Sequence, residues 1–310
     1  MGAAWKQKGD LDNAIAAYSQ AIAVDNKSVG GFFGRAGAYS LKGDYDKALQ
    51  DYSAAITLDP EDPLSYNNRG VVYSNIGGFD RAIRDFSEAI RLYPKYAVAF
   101  NNRCSAYNSK EEWGPAVQDC TQAIQLRPNY SDAYIGRGLA YRRQKSFDLA
   151  ISDYDQAITL NPKSVDALLG RAITYEGKSD YSAALEDYSR VLEIRPTDFA
   201  TLNNRCWVRA IVGQLEAALN DCNESLRLRP LDPFSLDSRG FVYLRIGDFK
   251  SSIVDYNASL DFRPAAPNSL YGRGVAKAKS GDVSGGDADK KKALAIKPDV
   301  ADLFIRLDLK

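Results

Sequence analysis

The sequence of 310 residues contains no histidine, and this absence excludes several kinds of active site. Serine–histidine and cysteine–histidine catalysis, histidine-ligated zinc and pH switching by imidazole all need a side chain that the chain lacks. One methionine and four cysteines leave few other soft ligands for a metal. The composition therefore predicts a protein that is not an enzyme and that has no catalytic residues, cofactor or metal site.

The formal net charge is zero, and the sequence contains no long apolar run. Forty basic residues balance forty acidic ones, which argues against binding to nucleic acid through bulk charge. No apolar run approaches the roughly 18 residues that span a membrane, so no membrane insertion is expected. The chain opens within its own sequence pattern, MGAAWKQKGD, and we expect a targeting segment to be absent or already removed.

What the sequence does contain is a repeat of 34 residues. Proline recurs with this spacing at Pro60, Pro94, Pro128, Pro162, Pro196, Pro230, Pro264 and Pro298. With residue 29 as position 1, complete repeats begin at residues 29, 63, 97, 131, 165, 199, 233 and 267. Residues 1–28 are a partial first repeat, and residues 301–310 are expected to form a C-terminal capping helix.

Each repeat has the pattern of two helices. In the repeat 63–96, apolar residues of the second half recur every three or four residues, which is typical of an amphipathic helix. Gly77 suits a turn with positive φ between the helices, and Pro94 ends the second helix. Positions 8 and 20 hold small residues, so the two helices are predicted to approach closely.

The repeat has small residues at positions 8 and 20, aromatic residues at positions 11 and 24, an Ala-Ile dipeptide and a closing proline. This pattern resembles the tetratricopeptide repeat (TPR). The resemblance covers essentially all 310 residues. It implies an all-α fold, a right-handed superhelical solenoid of antiparallel helix pairs that spans residues 1–310 as one domain. It also implies that the first helix of each pair lines a concave groove.

Charged residues recur with the same period. An arginine at position 7 is followed sixteen residues later by an aspartate at position 23, as in the pairs Arg69–Asp85, Arg137–Asp153 and Arg171–Asp187. One interpretation assigns the arginines to anionic ligands along a groove. Because the aspartate is always present, we favour a structural ladder of partly buried ion pairs within or between repeats.

Four cysteines occupy matching positions of two repeats. Cys104 and Cys120 stand at positions 8 and 24 of one repeat, and Cys206 and Cys222 stand at the same positions three repeats later. The two positions face each other across a helix pair, so a disulfide is geometrically plausible. Buried reduced thiols and a metal site are the alternatives.

The groove is where a ligand would bind. The resemblance implies that positions 2, 5, 6, 9, 12 and 13 of each repeat face it. An asparagine ladder at position 6 is similar to that of peptide-binding TPR proteins, which assigns peptide contacts to Asn68, Asn102 and Asn204. Further candidates in or near the groove are Asn67, Asn101, Asn203, Trp207, Phe241, Arg142 and Arg143. The alternative for the asparagines is a solvated helix face or bonding between helices. Glycine interrupts the ladder, for example at Gly136 and Gly272, and is expected to widen the groove.

These features predict a non-enzymatic scaffold that binds a protein or peptide in its groove. The alternative is a substrate-recruiting arm of a larger enzyme whose catalytic domain lies outside this chain. Binding of RNA by helical repeats is disfavoured, since such grooves are basic. An open N-terminal end around Trp5, Ala14 and Tyr18 predicts an end-to-end homodimer.

The strings NNRCWVRA and LDSRGFVYLRIGDF resemble those of alphaproteobacterial TPR proteins, many of which are exported. Together with the paired cysteines, this resemblance favours a periplasmic or exported location over the cytoplasm.

Overall fold

A computed structural model describes residues 2–309, and within this range the chain forms nineteen α-helices and no strand. The chain divides into two compact units, Met1–Pro162 and Lys163–Lys310. The first unit contains α1 (Gly2–Gln7), α2 (Leu11–Val24), α3 (Val29–Lys42), α4 (Tyr45–Leu58), α5 (Pro63–Asn75), α6 (Phe79–Leu92), α7 (Ala97–Ser109), α8 (Trp113–Leu126), α9 (Ser131–Arg143) and α10 (Phe147–Leu160). The second contains α11 (Val165–Gly177), α12 (Tyr181–Ile194), α13 (Phe199–Val212), α14 (Leu215–Leu228), α15 (Pro233–Ile246), α16 (Phe249–Phe262), α17 (Pro267–Lys279), α18 (Val283–Ile296) and α19 (Ala301–Arg306). None of the helices within 2–309 is long and apolar enough to cross a membrane.

Within each unit the helices pack as antiparallel pairs, and the first helix of each pair begins at the first residue of a 34-residue repeat. The expected all-α solenoid of helix pairs is thereby confirmed in each unit. Successive first helices also touch: α7 contacts α9, α13 contacts α15, and α15 contacts α17. We call the surface formed by α3, α5, α7 and α9 in unit 1, or by α11, α13, α15 and α17 in unit 2, the first-helix face. That all repeats form one continuous domain remains a prediction.

The turn inside each pair needs a left-handed residue at position 15. Glycine fills it in five of the complete repeats, for example Gly43 with φ of 83° and Gly213 with φ of 87°. Glu111, Lys145 and Ser179 adopt the same conformation with φ near 60°. A residue with a Cβ is strained there by about 1–2 kcal/mol, so these three turns are less stable than the glycine turns.

Small and aromatic side chains divide the space between the helices. The alanines at position 20, such as Ala82 and Ala150, are fully buried. At position 24 the ring of Phe86 lies against Gly70, and the ring of Tyr154 lies against Gly138, each glycine being at position 8 of the same repeat. A Cβ on Gly70 would stand 2.7 Å from the phenylalanine ring. The ring therefore fills the space that a missing side chain leaves.

The position-7 arginines lie against the position-23 aspartates. In the pair Arg69–Asp85, Nε and Nη2 donate to the two carboxylate oxygens at 2.8 Å each. The pairs Arg137–Asp153 and Arg171–Asp187 have the same forked geometry at 2.7–2.8 Å. Each pair joins the two helices of one repeat, and the aspartates are buried. The geometry assigns these side chains to the interior rather than to an anionic ligand.

A third bond of the arginine links neighbouring repeats. Nη1 of Arg69 donates to the hydroxyl of Ser53 at 3.0 Å, and Nη1 of Arg137 donates to Thr121 at 3.1 Å. These acceptors stand at position 25 of the preceding repeat. The acceptors found in this way are Ser19, Ser53, Ser87, Thr121, Ser189, Asn223 and Asn257. One arginine thus holds three helices together.

The four cysteines form two disulfides, Cys104–Cys120 and Cys206–Cys222. Each joins the first and second helix of one repeat with the Cα atoms 5.5 Å apart. In these repeats a covalent bond replaces the aromatic ring at position 24. All four cysteines are fully buried.

At the N-terminal end, only part of the apolar surface expected there is exposed. Ala14 is fully buried, and the ring of Tyr18 lies against Gly2 and Gly34. Trp5 is 37% exposed. Association through this end remains a prediction, and it would depend mainly on this tryptophan.

We expect Asp153→Ala to lower the free energy of unfolding by about 3 kcal/mol or more, because the guanidinium of Arg137 would lose its partner inside the protein. Glu88→Ala is the matched control in the same unit, since Glu88 pairs with Arg91 at the exposed surface. That variant should lose less than about 1 kcal/mol. Thermal and urea unfolding followed by circular dichroism measure both, and equal losses would contradict the structural role of the ladder.

Alkylation of the unfolded protein without reductant should modify none of the four cysteines, as read by mass spectrometry. Reduction should lower the melting temperature, because a disulfide that closes a loop of about 15 residues stabilises by about 3 kcal/mol. A variant with all four cysteines replaced by alanine controls for effects of the reductant itself. Complete alkylation of the untreated protein would show free thiols instead.

Candidate functional site

Most of the polar residues expected to bind a ligand lie on the first-helix faces. Some of them are buried or bonded to each other and do not face a ligand. In unit 1, Nδ2 of Asn102 donates to Oδ1 of Asn67 at 3.0 Å. Asn67 is only 4% exposed, so its assignment to peptide binding is wrong. The pair links α5 to α7, which is the bonding between helices that the sequence left open as an alternative. Asn68 is half-buried on α5.

Unit 1 has a cleft between α7 and α9 that contains asparagine and serine side chains. Its volume is about 350 Å³, and it is lined by Asn101, Ser105, Asn108, Ser109, Asp132, Ile135, Gly136 and Leu139. Nδ2 of Asn108 donates to the carbonyl of Gly136 at 2.9 Å, and its buried Oδ1 has no hydrogen-bond partner among the described residues. Asn101 is half-buried at the rim. The cleft therefore offers amide groups beside aliphatic side chains.

The glycines at position 6 have a different role from the expected widening of the groove. A Cβ on Gly272 would stand 2.3 Å from the ring of Tyr256, and a Cβ on Gly136 would stand 2.9 Å from Sγ of Cys120. Both contacts come from position 24 of the preceding repeat. Glycine is needed because that side chain already fills the site, so the expectation of a wider groove is wrong at these positions.

A second concave surface with asparagine side chains lies on α13 and α15 in unit 2. A cleft of about 330 Å³ is lined by Phe199, Ala200, Asn203, Asn204, Arg229, Asp232 and Phe234. It adjoins a smaller cleft of about 180 Å³ lined by Asn203, Asn204, Trp207, Phe234, Asp237, Ser238 and Asn268. Phe234 is 54% exposed, and Oδ1 of Asn203 is buried without a hydrogen-bond partner in the described part of the chain. We call these two adjoining clefts the asparagine cleft.

Charged groups frame the asparagine cleft. The guanidinium of Arg263 lies 4.2 Å from the ring centroid of Phe234, and that of Arg229 lies 4.8 Å from the ring of Phe199. Asp237 accepts a hydrogen bond from the hydroxyl of Ser269. Burial raises the pKa of Asp237 to about 6, although Ser269 and the positive charge of Arg263 act in the opposite direction.

Phe241 is covered by the chain's own C-terminal helix, so its assignment as an open groove residue is corrected. It is 1% exposed, with its ring between Trp207, at a centroid distance of 4.9 Å, and Phe304 of α19, at 5.8 Å. The C-terminal helix therefore covers this part of the first-helix face. Trp207 is only half-buried and still lines the asparagine cleft.

The two arginines at the end of α9 lie against aromatic side chains. Arg142 is half-buried beside Tyr154, and the guanidinium of Arg143 lies 5.8 Å from the indole centroid of Trp113. Both therefore have intramolecular neighbours. A role in ligand binding remains a prediction for them.

Asn108, Asp237 and Asn268 were absent from the candidates, although they line the clefts. They stand at positions 12, 5 and 2, which the repeat pattern already turned toward the groove. The signal for all three is in the sequence, because each is a polar residue at a position that faces the groove.

Family models of the tetratricopeptide repeat match several parts of the chain. A model described as TPR repeat matches residues 36–77, and two models described as tetratricopeptide repeat match residues 131–164 and residues 2–28 and 64–96. A search of curated proteins finds no match.

Several solved structures, two of them described as TPR proteins, are similar to the chain. A TPR protein from Parabacteroides merdae has 20% identity and a TM-score of 0.61, with 86% of this chain and 99% of that chain covered. YrrB, described as a TPR protein with an unusual peptide-binding site, has 22% identity and a TM-score of 0.50, with coverages of 61% and 97%. MamA from Desulfovibrio magneticus RS-1 has 19% identity and a TM-score of 0.51, with coverages of 55% and 96%. At these identities the likeness shows the fold.

The stability of the protein should depend on pH through Asp237. Its pKa of about 6 lies above the value of about 3.9 in an unfolded chain, so the folded state binds more protons between these values. The free energy of unfolding of the wild type should therefore fall by about 2 kcal/mol, relative to Asp237→Asn, as pH rises from 4 to about 7. Urea unfolding at several pH values measures this difference. Asp261→Asn, at an exposed site on α16, should follow the wild type, and parallel curves for Asp237→Asn would refute the assignment.

Proposed function

The chain is a tetratricopeptide repeat protein, and from this premise we propose that it is a non-enzymatic scaffold that binds a peptide segment of a partner protein in the asparagine cleft. The observation that carries the proposal is the meeting of Asn203, Asn204, Trp207 and Phe234 around adjoining clefts on α13 and α15. These residues come from neighbouring repeats, so a ligand there would run across several helices.

The chemistry of the cleft suits an extended main chain. An asparagine side chain donates through its NH₂ group and accepts through its oxygen, so it can bind both groups of a peptide unit. Asn203 and Asn204 both line the two adjoining clefts, so their side-chain amides lie beside a peptide bound there. Such contacts read the backbone and leave the sequence of the ligand free.

The aromatic side chains add the anchoring contacts. Phe234 is exposed and Trp207 half-exposed, and both are larger than the aliphatic residues that usually border a solvated helix. Burial of such rings supplies much of the binding energy at protein interfaces. YrrB, which shares the fold, is described as having a peptide-binding site. That description supports a peptide as the class of ligand proposed here.

The test is selection of peptides from a random displayed library on the full chain, followed by calorimetry with a selected peptide. Asn203→Ala/Asn204→Ala should weaken binding about tenfold or more, since each lost hydrogen bond contributes about 1 kcal/mol. Asn220→Ala, which removes an exposed asparagine from α14, is the matched control and should bind as the wild type does.

Melting curves of all variants establish that they are folded. Equal affinity of the double variant and the wild type would exclude the asparagine cleft as the binding site. Failure to select any peptide would contradict the proposed function itself.

A further inference from the structure

The C-terminal segment, residues 300–309, lies on the first-helix face of unit 2. Its Phe304 is 1% exposed, although α19 has only six residues. The phenylalanine ring stands 4.8 Å from the ring centroid of Tyr271 on α17 and 5.8 Å from that of Phe241 on α15. The capping helix expected at residues 301–310 therefore contacts α15 of an earlier repeat as well as α17 of the last pair.

The chain enters α19 differently from the way it enters the preceding first helices. Asp232 and Ala266, which precede α15 and α17, are extended with ψ of 116° and 108°. Val300 at the equivalent position is helical with ψ of −30° and is buried. This change redirects α19 away from the place that the first helix of another repeat would take.

The far end of the segment packs Leu307 and Leu309 on unit 2 and makes one long polar contact. Nη2 of Arg306 is 3.5 Å from the hydroxyl of Tyr181, which is 125 residues away in sequence. Beside the segment an open cleft of about 280 Å³ remains, bordered by Tyr181, Trp207, Lys297 and Arg306 among others. The segment therefore occupies its site without filling the surface around it.

The short helix of the segment is amphipathic. Leu303, Phe304 and Leu307 pack on unit 2, while Ile305 on the opposite side is 50% exposed. A helix of six residues is unstable by itself, so its conformation depends on the surface to which it docks. An amphipathic helix that inserts an aromatic anchor into a groove is a common mode of peptide recognition.

We propose that the C-terminal segment is a tethered ligand that covers an aromatic docking site made by Trp207, Phe241 and Tyr271. The ligand that exchanges with it is a short helical segment of a partner protein, with a phenylalanine flanked by leucines as in Leu303-Phe304 and Leu307. This inference rests on the proposed function and adds a second class of ligand next to the asparagine cleft. Because the tether gives the segment a high effective concentration, it weakens binding of the external ligand.

The test uses a fluorescent synthetic peptide, DVADLFIRLDL, with the sequence of residues 299–309, and the full-length protein. In Phe304→Asp the internal anchor is lost, so fluorescence anisotropy should show at least tenfold tighter binding of this peptide than in the wild type. Ile305→Asp changes the exposed neighbour and is the matched control, with an affinity equal to that of the wild type. A peptide with alanine in place of phenylalanine should bind to none of the three proteins.

Equal binding of the peptide to Phe304→Asp and to the wild type would overturn the proposal. The milder Phe304→Ala and melting curves of both variants show whether the segment is part of the core. A large loss of melting temperature in Phe304→Ala would also overturn it, because a displaceable ligand cannot be essential for folding. Peptides selected for the asparagine cleft, measured on the same proteins, test the proposed function separately.

Discussion

One arginine per repeat determines how the helices of each unit are placed. Its Nε and Nη2 bind the aspartate of the second helix, as Arg69 does with Asp85. In seven of the repeats that the structure describes, its Nη1 donates to a hydroxyl or side-chain amide of the preceding repeat, as Arg69 does with Ser53. A planar guanidinium has donors in a fixed arrangement, so the three helices keep one rotation about their axes. Side chains at the same position of successive repeats then point in the same direction relative to their helices. The asparagine cleft depends on this, since Asn203 and Phe234 meet only if α13 and α15 keep the same rotation.

The regular features of the fold were readable from the sequence because they recur. The helix pairs, the turns at position 15 and the proximity of Arg69 to Asp85 all follow from a spacing of 34 residues. The residue at position 25 that accepts the third hydrogen bond of the arginine also recurs every 34 residues. Its identity varies, because serine, threonine and asparagine can all accept this bond. A pattern search for one residue type therefore misses it.

The binding residues were harder to predict, because the exposure of each side chain depends on a single neighbouring residue. Asn67 is buried by its bond to Asn102, whereas Asn203 at the same repeat position retains an unpaired oxygen. Phe241 stands at a groove-facing position, but Phe304 covers it from outside the repeat pattern. Periodicity specifies the direction of a side chain and does not specify what fills the space in front of it.

The left-handed turns at Lys145 and Ser179 have a consequence for how the molecule opens. Their helix pairs, α9–α10 and α11–α12, combine a strained turn with no covalent bond between the two helices, whereas the strained turn at Glu111 belongs to a pair that a disulfide closes. Native-state fluctuations begin where local stability is lowest. Amide protons of these two pairs therefore exchange with solvent before those of their neighbours, and a protease that cuts transiently unfolded segments attacks the middle of the chain before its disulfide-linked repeats.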